Sequence, residues 1–249
     1  MSLPALAFSV LMALAAGAVR QTPAPALETP LSPATVLARY AEALAKQPRP
    51  KAVSFVYAME QLGPRDIAQT HRVYRSGRSE RDETLIVDGI ALTQPSIRIL
   101  TNRNNRYAID VVAPKPAAYI FKFTDLLNGA DGSAFVFRTQ ARDARAFSVR
   151  EVAIDAHTFL PTVIRFRIAG NGAHGEGELL YSRSDMYWVV REARVSAHLR
   201  DGSLAHEHIV WSNYQFPPAL PASTFVPPRI EPTPEPALSA PEPAAAGAP

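Results

Sequence analysis

Apolar and polar residues alternate with a period of two through most of residues 159–216, and that constrains the fold more than any other feature. In residues 163–168, Ile164, Phe166 and Ile168 fall on one side and Val163, Arg165 and Arg167 on the other. Residues 187–199 repeat the pattern, with Tyr187, Val189, Ala193, Val195, Ala197 and Leu199 sharing a face that only Arg191 interrupts. Successive side chains of a strand point to opposite faces, so this spacing marks strands with one buried face. Asp201-Gly202 supplies a two-residue turn whose residues tolerate the positive φ that matches strand twist. The stretch therefore reads as four consecutive antiparallel strands.

The chain ahead of it continues the sheet after one helix. Ser32-Pro33 reads as a hydroxyl cap followed by proline at the first helical position, where its missing N–H costs nothing. Val36, Leu37, Tyr40 and Leu44 then fall at helical spacing, and Pro48 ends the run. Residues 52–62 read as the first strand, with Val53, Phe55, Tyr57 and Met59 on one face. Residues 67–76 and 80–87 form a hairpin around Ser76-Gly77, its mixed charges read as a solvated face. Residues 97–101 and 106–112 read as short strands, the latter with Tyr107, Ile109 and Val111 aligned. Residues 117–129 are open between a strand and a short helix, and 133–139 with 145–154 form a further hairpin. This predicts about ten or eleven strands with short loops. The fold class expected is mainly β (α+β): a single strongly curved antiparallel sheet with an N-terminal helix packed in its concave side. A sandwich would need longer crossovers than the sequence offers.

Both ends differ in composition. Residues 3–18 are apolar and end in Ala16-Gly17-Ala18, a small-x-small site suited to cleavage of a signal peptide over residues 1–18. The stretch is shorter than the ~20 residues of a membrane span. A Pro/Ala/Thr-rich leader (19–31) precedes the folded domain (32–225), and a Pro/Ala/Glu-rich tail (226–249) follows it with little to bury. The chain has no cysteine, hence no disulfide framework, thiolate metal site or lipid-accepting cysteine. Export to the periplasm or another extracytoplasmic space is expected. The 26 Lys and Arg against 23 Asp and Glu are scattered, which excludes the basic stripe of a nucleic-acid surface.

The sequence offers no organised chemistry. His206-Glu207-His208 puts two histidines on one strand face, with His198 as a third ligand to consider, but no accompanying spacing marks a metal site. No G-x-S-x-G elbow is present. The Gly170–Gly177 glycines lie in a hairpin and read as turn residues, not a phosphate cradle. Asp82/Glu83 and Glu176/Glu178 are paired acids with nothing to set a catalytic separation. No enzyme, metal or cofactor is expected.

Two short motifs carry a resemblance. Ile154-Asp155-Ala156-His157-Thr158-Phe159-Leu160-Pro161 is similar to a D-x-x-T-x-L-P approach to a central strand. Trp211-Ser212-Asn213-Tyr214-Gln215-Phe216-Pro217, with Leu220-Pro221-Ala222-Ser223-Thr224-Phe225, resembles a Y-x-x-N/F-P-x-L-P-x-S-x-F close. Both resemble the LolA-like half-barrel proteins, which include periplasmic lipoprotein carriers, outer-membrane lipoprotein-sorting proteins and lipid-sensing regulators of envelope stress. The resemblance implies an open trough with an apolar wall plugged by helices. Its wall candidates are Phe55, Tyr57, Tyr107, Ile109, Ile164, Phe166 and Trp211. It also implies an arginine that holds a lid shut or meets a head group, for which Arg72, Arg75 and Arg81 are all candidates. Burying an acyl chain of ~16 carbons in such a trough offers roughly 12 kcal/mol before ordering costs. The resemblance thus implies an exported, monomeric, non-enzymatic carrier of a lipid or acylated lipoprotein, touching membrane surfaces transiently. The alternative is an envelope sensor or assembly module that binds a protein partner, with Trp188 as an exposed aromatic.

Overall fold

The computed structural model describes residues 31–102, 107–129, 132–170 and 173–227. The expected signal peptide and all but the first two residues of the expected C-terminal tail lie outside them. The chain divides into Met1–Ser32, almost all of it outside the described residues, and Pro33–Pro249, which carries the sheet.

The N-terminal helix α1 spans Pro33–Ala45 and buries Val36, Tyr40 and Leu44, the 3.6-period stripe expected of it. Four strands follow: β1 (Ala52–Leu62), β2 (Ile67–Ser76), β3 (Ser79–Val87) and β4 (Ile90–Leu100). A single helical turn, α2 (Ile109–Val112), leads to seven more: β5 (Tyr119–Gly129), β6 (Gly132–Ala141), β7 (Phe147–Asp155), β8 (Pro161–Gly170), β9 (Ala173–Ser184), β10 (Tyr187–His198) and β11 (Leu204–Gln215). A 3-10 turn, Ala222–Phe225, ends the described chain.

All eleven strands join one antiparallel sheet in the order β4-β3-β2-β1-β11-β10-β9-β8-β7-β6-β5. Its two edges, β4 and β5, do not pair, so the sheet is open. β1 pairs with β11, and the two hairpin series run outward from that central seam. Register shifts recur across the sheet, at Ser54/Val56, Thr70/His71, Thr84/Ile86, Phe123/Asp125, Val149/Glu151 and Val190/Glu192. Each inserts an unmatched residue that bends its strand, which is how a wide sheet curves.

Two expectations are corrected and one open alternative is settled. The described part of the 106–112 segment, residues 107–112, is not a strand: Ile109, Val112 and Ala113 are buried at the spacing of a helical turn, while Val111 is exposed. The uncertain segment 117–129 is a strand, β5. In β10 the extra residue lies between Val190 and Glu192, so Arg191 does not interrupt one face. It marks the point where Tyr187 and Val189 part from the face of Ala193 and Val195.

Candidate functional site

Register across the sheet sorts side chains into rows. One row, Phe123–Phe137–Val152–Ile164–Leu179–Ala193–Ile209–Met59, crosses eight strands without a charge. The adjacent row, one residue away on each strand, reads Lys122–Arg138–Glu151–Arg165–Glu178–Arg194–His208–Glu60. Because neighbouring residues on a strand face opposite ways, the first row lines one side of the sheet and the second the other. The apolar side is deeply buried, with Val149, Val152, Ile154 and Ile164 fully excluded from solvent. On the polar side Arg165 bridges Glu151 at 2.6 Å and Glu178 at 3.5 Å, and Arg194 reaches Glu178 at 3.1 Å.

Two glycines shape the middle of the apolar side. A Cβ on Gly177 would meet the Arg194 carbonyl oxygen at 2.5 Å and the tip of the Phe166 ring at 2.8 Å. The Phe166 ring thus lies across the space a side chain would need, packed 4.9 Å from Phe147. Gly175 is closed off in the same way by Ser196 and Ala197.

Contacts reach the apolar side from α1 through Tyr40 and from the connection over residues 107–118 through Tyr107. The Tyr40 ring of α1 is fully buried, 6.0 Å edge-on from Phe121, and its hydroxyl donates to the Pro114 carbonyl at 2.8 Å. Burial drives the Tyr40 phenol well above the ordinary tyrosine range, with Tyr119 and Tyr181 adding to the shift. The Arg39 guanidinium sits 5.1 Å over the Phe159 ring. Further along, Tyr181 donates to the Tyr107 carbonyl at 3.0 Å, and the Tyr107 ring meets Trp211 edge-on at 5.1 Å.

The candidate residues therefore divide. Ile164, Phe166 and Trp211 are buried on the apolar side of β8 and β11, and Phe55 and Tyr57 occupy the same side of β1. Tyr107 and Ile109 belong to the covering connection, not to the wall strands. Trp188 is also reassigned: it pairs with Arg183, two residues from Tyr181 on the apolar side, and its indole N–H donates to the Pro161 carbonyl at 2.7 Å. Tyr40, Pro114 and Tyr181 are not among the sequence candidates, although Tyr40 belongs to the apolar stripe of α1.

The three arginines do different jobs. Arg75 pairs with Glu80 on the inner side beside Val73. Arg72 pairs in register with Glu83, on the opposite side from Val73. Arg81 bonds Glu83 at 2.7 Å and donates to the Thr224 carbonyl at 3.2 Å, fastening the C-terminal 3-10 turn to β3. The hairpin of β2 and β3 is not a simple solvated face: Glu80, Asp82 and Glu83 are buried. His71 Nδ1 lies 2.8 Å from Asp82, and Arg98 reaches the second carboxylate oxygen at 3.0 Å. Tyr57 stacks on the His71 ring at 4.6 Å. Burial opposes the charged form of Asp82, yet the His71 and Arg98 hydrogen bonds outweigh it and hold the carboxyl below its usual range. The face of the apolar row thus runs from hydrocarbon over β6–β11 to a satisfied ionic cluster over β2–β4.

Two grooves flank these layers. One, of about 590 Å³, lies between α1 and the connection, lined by Ala41, Leu44, Ala45, Pro116 and Ala117, with Lys115 and the Arg49–Asp110 pair also lining it. The other, of about 850 Å³, follows the charged rows of the polar side. His208 bonds Glu192 at 2.8 Å and His206 bonds Ser196 at 2.8 Å, so the histidine pair is engaged with different neighbours. His198 instead stacks on His174 at 4.9 Å. Among the described residues no three His, Cys, Asp or Glu side chains are grouped to hold a metal ion.

The two motifs have local structural reasons. Asp155 Oδ1 accepts hydrogen bonds from the backbone of His157 and Thr158 and from the Thr158 hydroxyl, closing the turn in which Phe159 takes φ +56°. Asn213 takes φ +54° where β11 shifts register against β1.

No protein-family profile and no curated protein matches the chain. Among the described residues no helix is long and apolar enough to cross a membrane. Solved structures do show a likeness. A DUF1329 family protein from Desulfovibrio piger is 13% identical, with a TM-score of 0.43 over 77% of this chain and 97% of that one. A LolA superfamily protein from Nitrosomonas europaea is 12% identical, with a TM-score of 0.40 over 79% and 98%. A domain from Vibrio parahaemolyticus described as outer membrane lipoprotein-sorting is 15% identical, with a TM-score of 0.44 over 76% and 95%.

Proposed function

We propose that this chain is an exported, non-enzymatic carrier that shields the acyl chain of a lipid or of an acylated polypeptide. The acyl chain would lie against the apolar side once α1 and the 107–118 connection move away. The observation that supports this is the uncharged row crossing eight strands from Phe123 to Met59, which is far wider than one helix needs for docking. Cover and ligand compete for one surface, so binding stabilises the displaced state by its differential affinity. Phe55, Tyr57, Ile164, Phe166 and Trp211 are the proposed wall, and Tyr107 and Ile109 the displaced plug. The test is native mass spectrometry of protein purified without detergent, combined with titration of a fluorescent fatty acid. Bound lipid or saturable fatty-acid binding supports the carrier; neither would sink it.

A second reading has one observation in its favour. Tyr40, Tyr107 and Ile109 already cover the wall, as they would in an envelope module that binds a protein partner through its outer surfaces and never opens. Failure of both lipid assays would transfer the weight to it.

A further inference from the structure

The edge strand β5 has a feature that shielding an acyl chain does not explain. Ile120, Phe123, Leu126 and Leu127 are 50%, 40%, 40% and 51% exposed, a run of large apolar side chains on one strand. They project from both sides of the sheet. Phe123 pairs with Phe137 and Leu126 with Phe135 on the apolar side, whereas Ile120 and Leu127 pair with Gln140 and Ala134 on the polar side. The surface they make is therefore the rim of the sheet itself. Such a rim is costly to leave in water.

The rim is also basic. Lys122 and Arg138 are neighbours across β5 and β6, Lys115 lies just ahead of β5, and the Arg142 amide bonds the Ala118 carbonyl at its start. Asp125, which accepts from the Leu126 amide, and Asp143, 4.0 Å from Arg145, are the acids beside them. Exposed apolar side chains ringed by cations are the chemistry that seats a surface on anionic lipid head groups. The alternative occupant of a bare edge is another strand. Here the register shift at Phe123/Asp125, with the Thr124 hydroxyl turned onto the Val136 carbonyl at 3.0 Å, breaks the even ladder that strand addition needs. A head-group layer needs no such ladder, because water and phosphate can satisfy irregular backbone groups.

We infer that the β5 rim docks on an anionic bilayer surface, with Ile120, Phe123, Leu126 and Leu127 entering the interface and Lys115, Lys122, Arg138 and Arg142 meeting the phosphates. This rests on the carrier reading only for its purpose, the exchange of an acyl chain at the membrane. The groove beside Lys115 and Pro116 opens just ahead of the same strand, so a chain leaving the bilayer has an apolar path towards α1.

Sedimentation of the full chain with vesicles tests it. Vesicles with about 30% phosphatidylglycerol in phosphatidylcholine should pellet the protein, and phosphatidylcholine alone should do so less. Leu126→Ser with Leu127→Ser should weaken binding roughly tenfold or more, and Lys122→Glu together with about 0.5 M salt should weaken it similarly. Ile90→Ser, at the opposite edge and 70% exposed, should leave binding unchanged. Absence of binding by the wild type, or equal loss with Ile90→Ser, overturns the inference. So does self-association without vesicle binding that the double leucine variant abolishes, which would assign the rim to strand pairing. Fatty-acid titration without vesicles keeps the two readings apart. Loss of that binding with vesicle docking intact removes the carrier alone, and the reverse removes the docking rim alone.

Discussion

The Tyr40 hydroxyl donates to the Pro114 carbonyl at 2.8 Å, joining α1 to the connection that crosses the apolar side. Tyr40→Phe leaves a buried carbonyl without its donor and should destabilise the chain by about 1–2 kcal/mol in urea unfolding. Tyr40→Ala also empties a fully buried ring site and should cost about 3–5 kcal/mol. Burial raises the phenols of Tyr40, Tyr181 and Tyr214. Above about pH 10 the unfolded chain therefore loses protons that the folded chain keeps, and stability falls as pH rises. Tyr40→Phe should flatten that alkaline decline. An unchanged slope would mean that Tyr40 is not shielded from water.

Asp82 governs the acid side. Its carboxyl is held below the usual range by His71 and Arg98 despite its burial, so its contribution is present above about pH 4 and fades as pH falls through the folded value. Asp82→Asn should lower stability at pH 7 by about 2–4 kcal/mol, since it strands His71 and Arg98 beside a neutral group. It should also weaken the dependence on pH between about 5 and 2. Urea midpoints of both proteins across that range measure the difference, and parallel curves would contradict the assigned role.

The sequence made some of this legible and hid the rest for physical reasons. β1 and β2 match the sequence expectation to the residue because Val53, Phe55, Tyr57 and Met59 alternate in β1 and each strand ends just before a glycine, Gly63 or Gly77. Residues 106–112 misled because a window so short fits both periods; Ile109 and Val112 obey three-residue spacing as well as Tyr107 and Ile109 obey two. The β1–β11 seam joins residues about as far apart as the domain allows, and nothing local encodes it. The buried charges of β3 read as surface from sequence because composition outweighs alternation there. Glu80 and Asp82 stand opposite Arg75 and Val73, so strict period-two counting would have turned them inward. The burial of Ile164, Phe166 and Trp211 followed from alternation; the packing of Tyr107 on Trp211 and the burial of Ile109 required the tertiary fold.

Gly177 and Gly175 should tolerate nothing larger. Alanine at either position brings a Cβ to 2.5 Å of a carbonyl oxygen on β10, and backbone of a central strand cannot step aside. Each substitution should destabilise by about 2–3 kcal/mol. Phe166→Leu should rescue Gly177→Ala only in part, because it removes the ring contact and leaves the Arg194 carbonyl. It should not rescue Gly175→Ala, whose clashes are with Ser196 and Ala197. Full rescue of Gly177→Ala would show that the ring, not the strand, sets the limit.

Arg81 should act on the C-terminal turn and on nothing at the apolar side. Arg81→Ala removes the hydrogen bond to Thr224 and leaves buried Glu83 without its partner, at a cost of about 2–3 kcal/mol. Hydrogen exchange at Thr224 and Val226, whose amides bond Pro221 and Ser223, should quicken in this variant. Fatty-acid binding should be unchanged. Altered binding with unchanged exchange would restore Arg81 to the group that holds the cover.

Displacement of the cover can be tested directly because the chain has no cysteine of its own. Ala41 on α1 and Ala117 on the connection line the same groove, and both are exposed. Ala41→Cys with Ala117→Cys, joined by a short bifunctional thiol reagent, would lock α1 to the connection while leaving the buried Tyr40 and Leu44 untouched. If both elements leave the wall separately, the locked protein should lose fatty-acid binding about tenfold or more, since the competing closed state is held in place. The two single variants treated with the same reagent should bind as the wild type does. If α1 and the connection instead swing away as one body, pinned together by Tyr40 and Pro114, the locked protein should bind normally, and Tyr40→Phe should change nothing in affinity. Loss on locking with normal single variants selects the first motion. Binding that survives both locking and Tyr40→Phe selects the second, and places the hinge where the connection leaves the sheet instead of between α1 and Pro114.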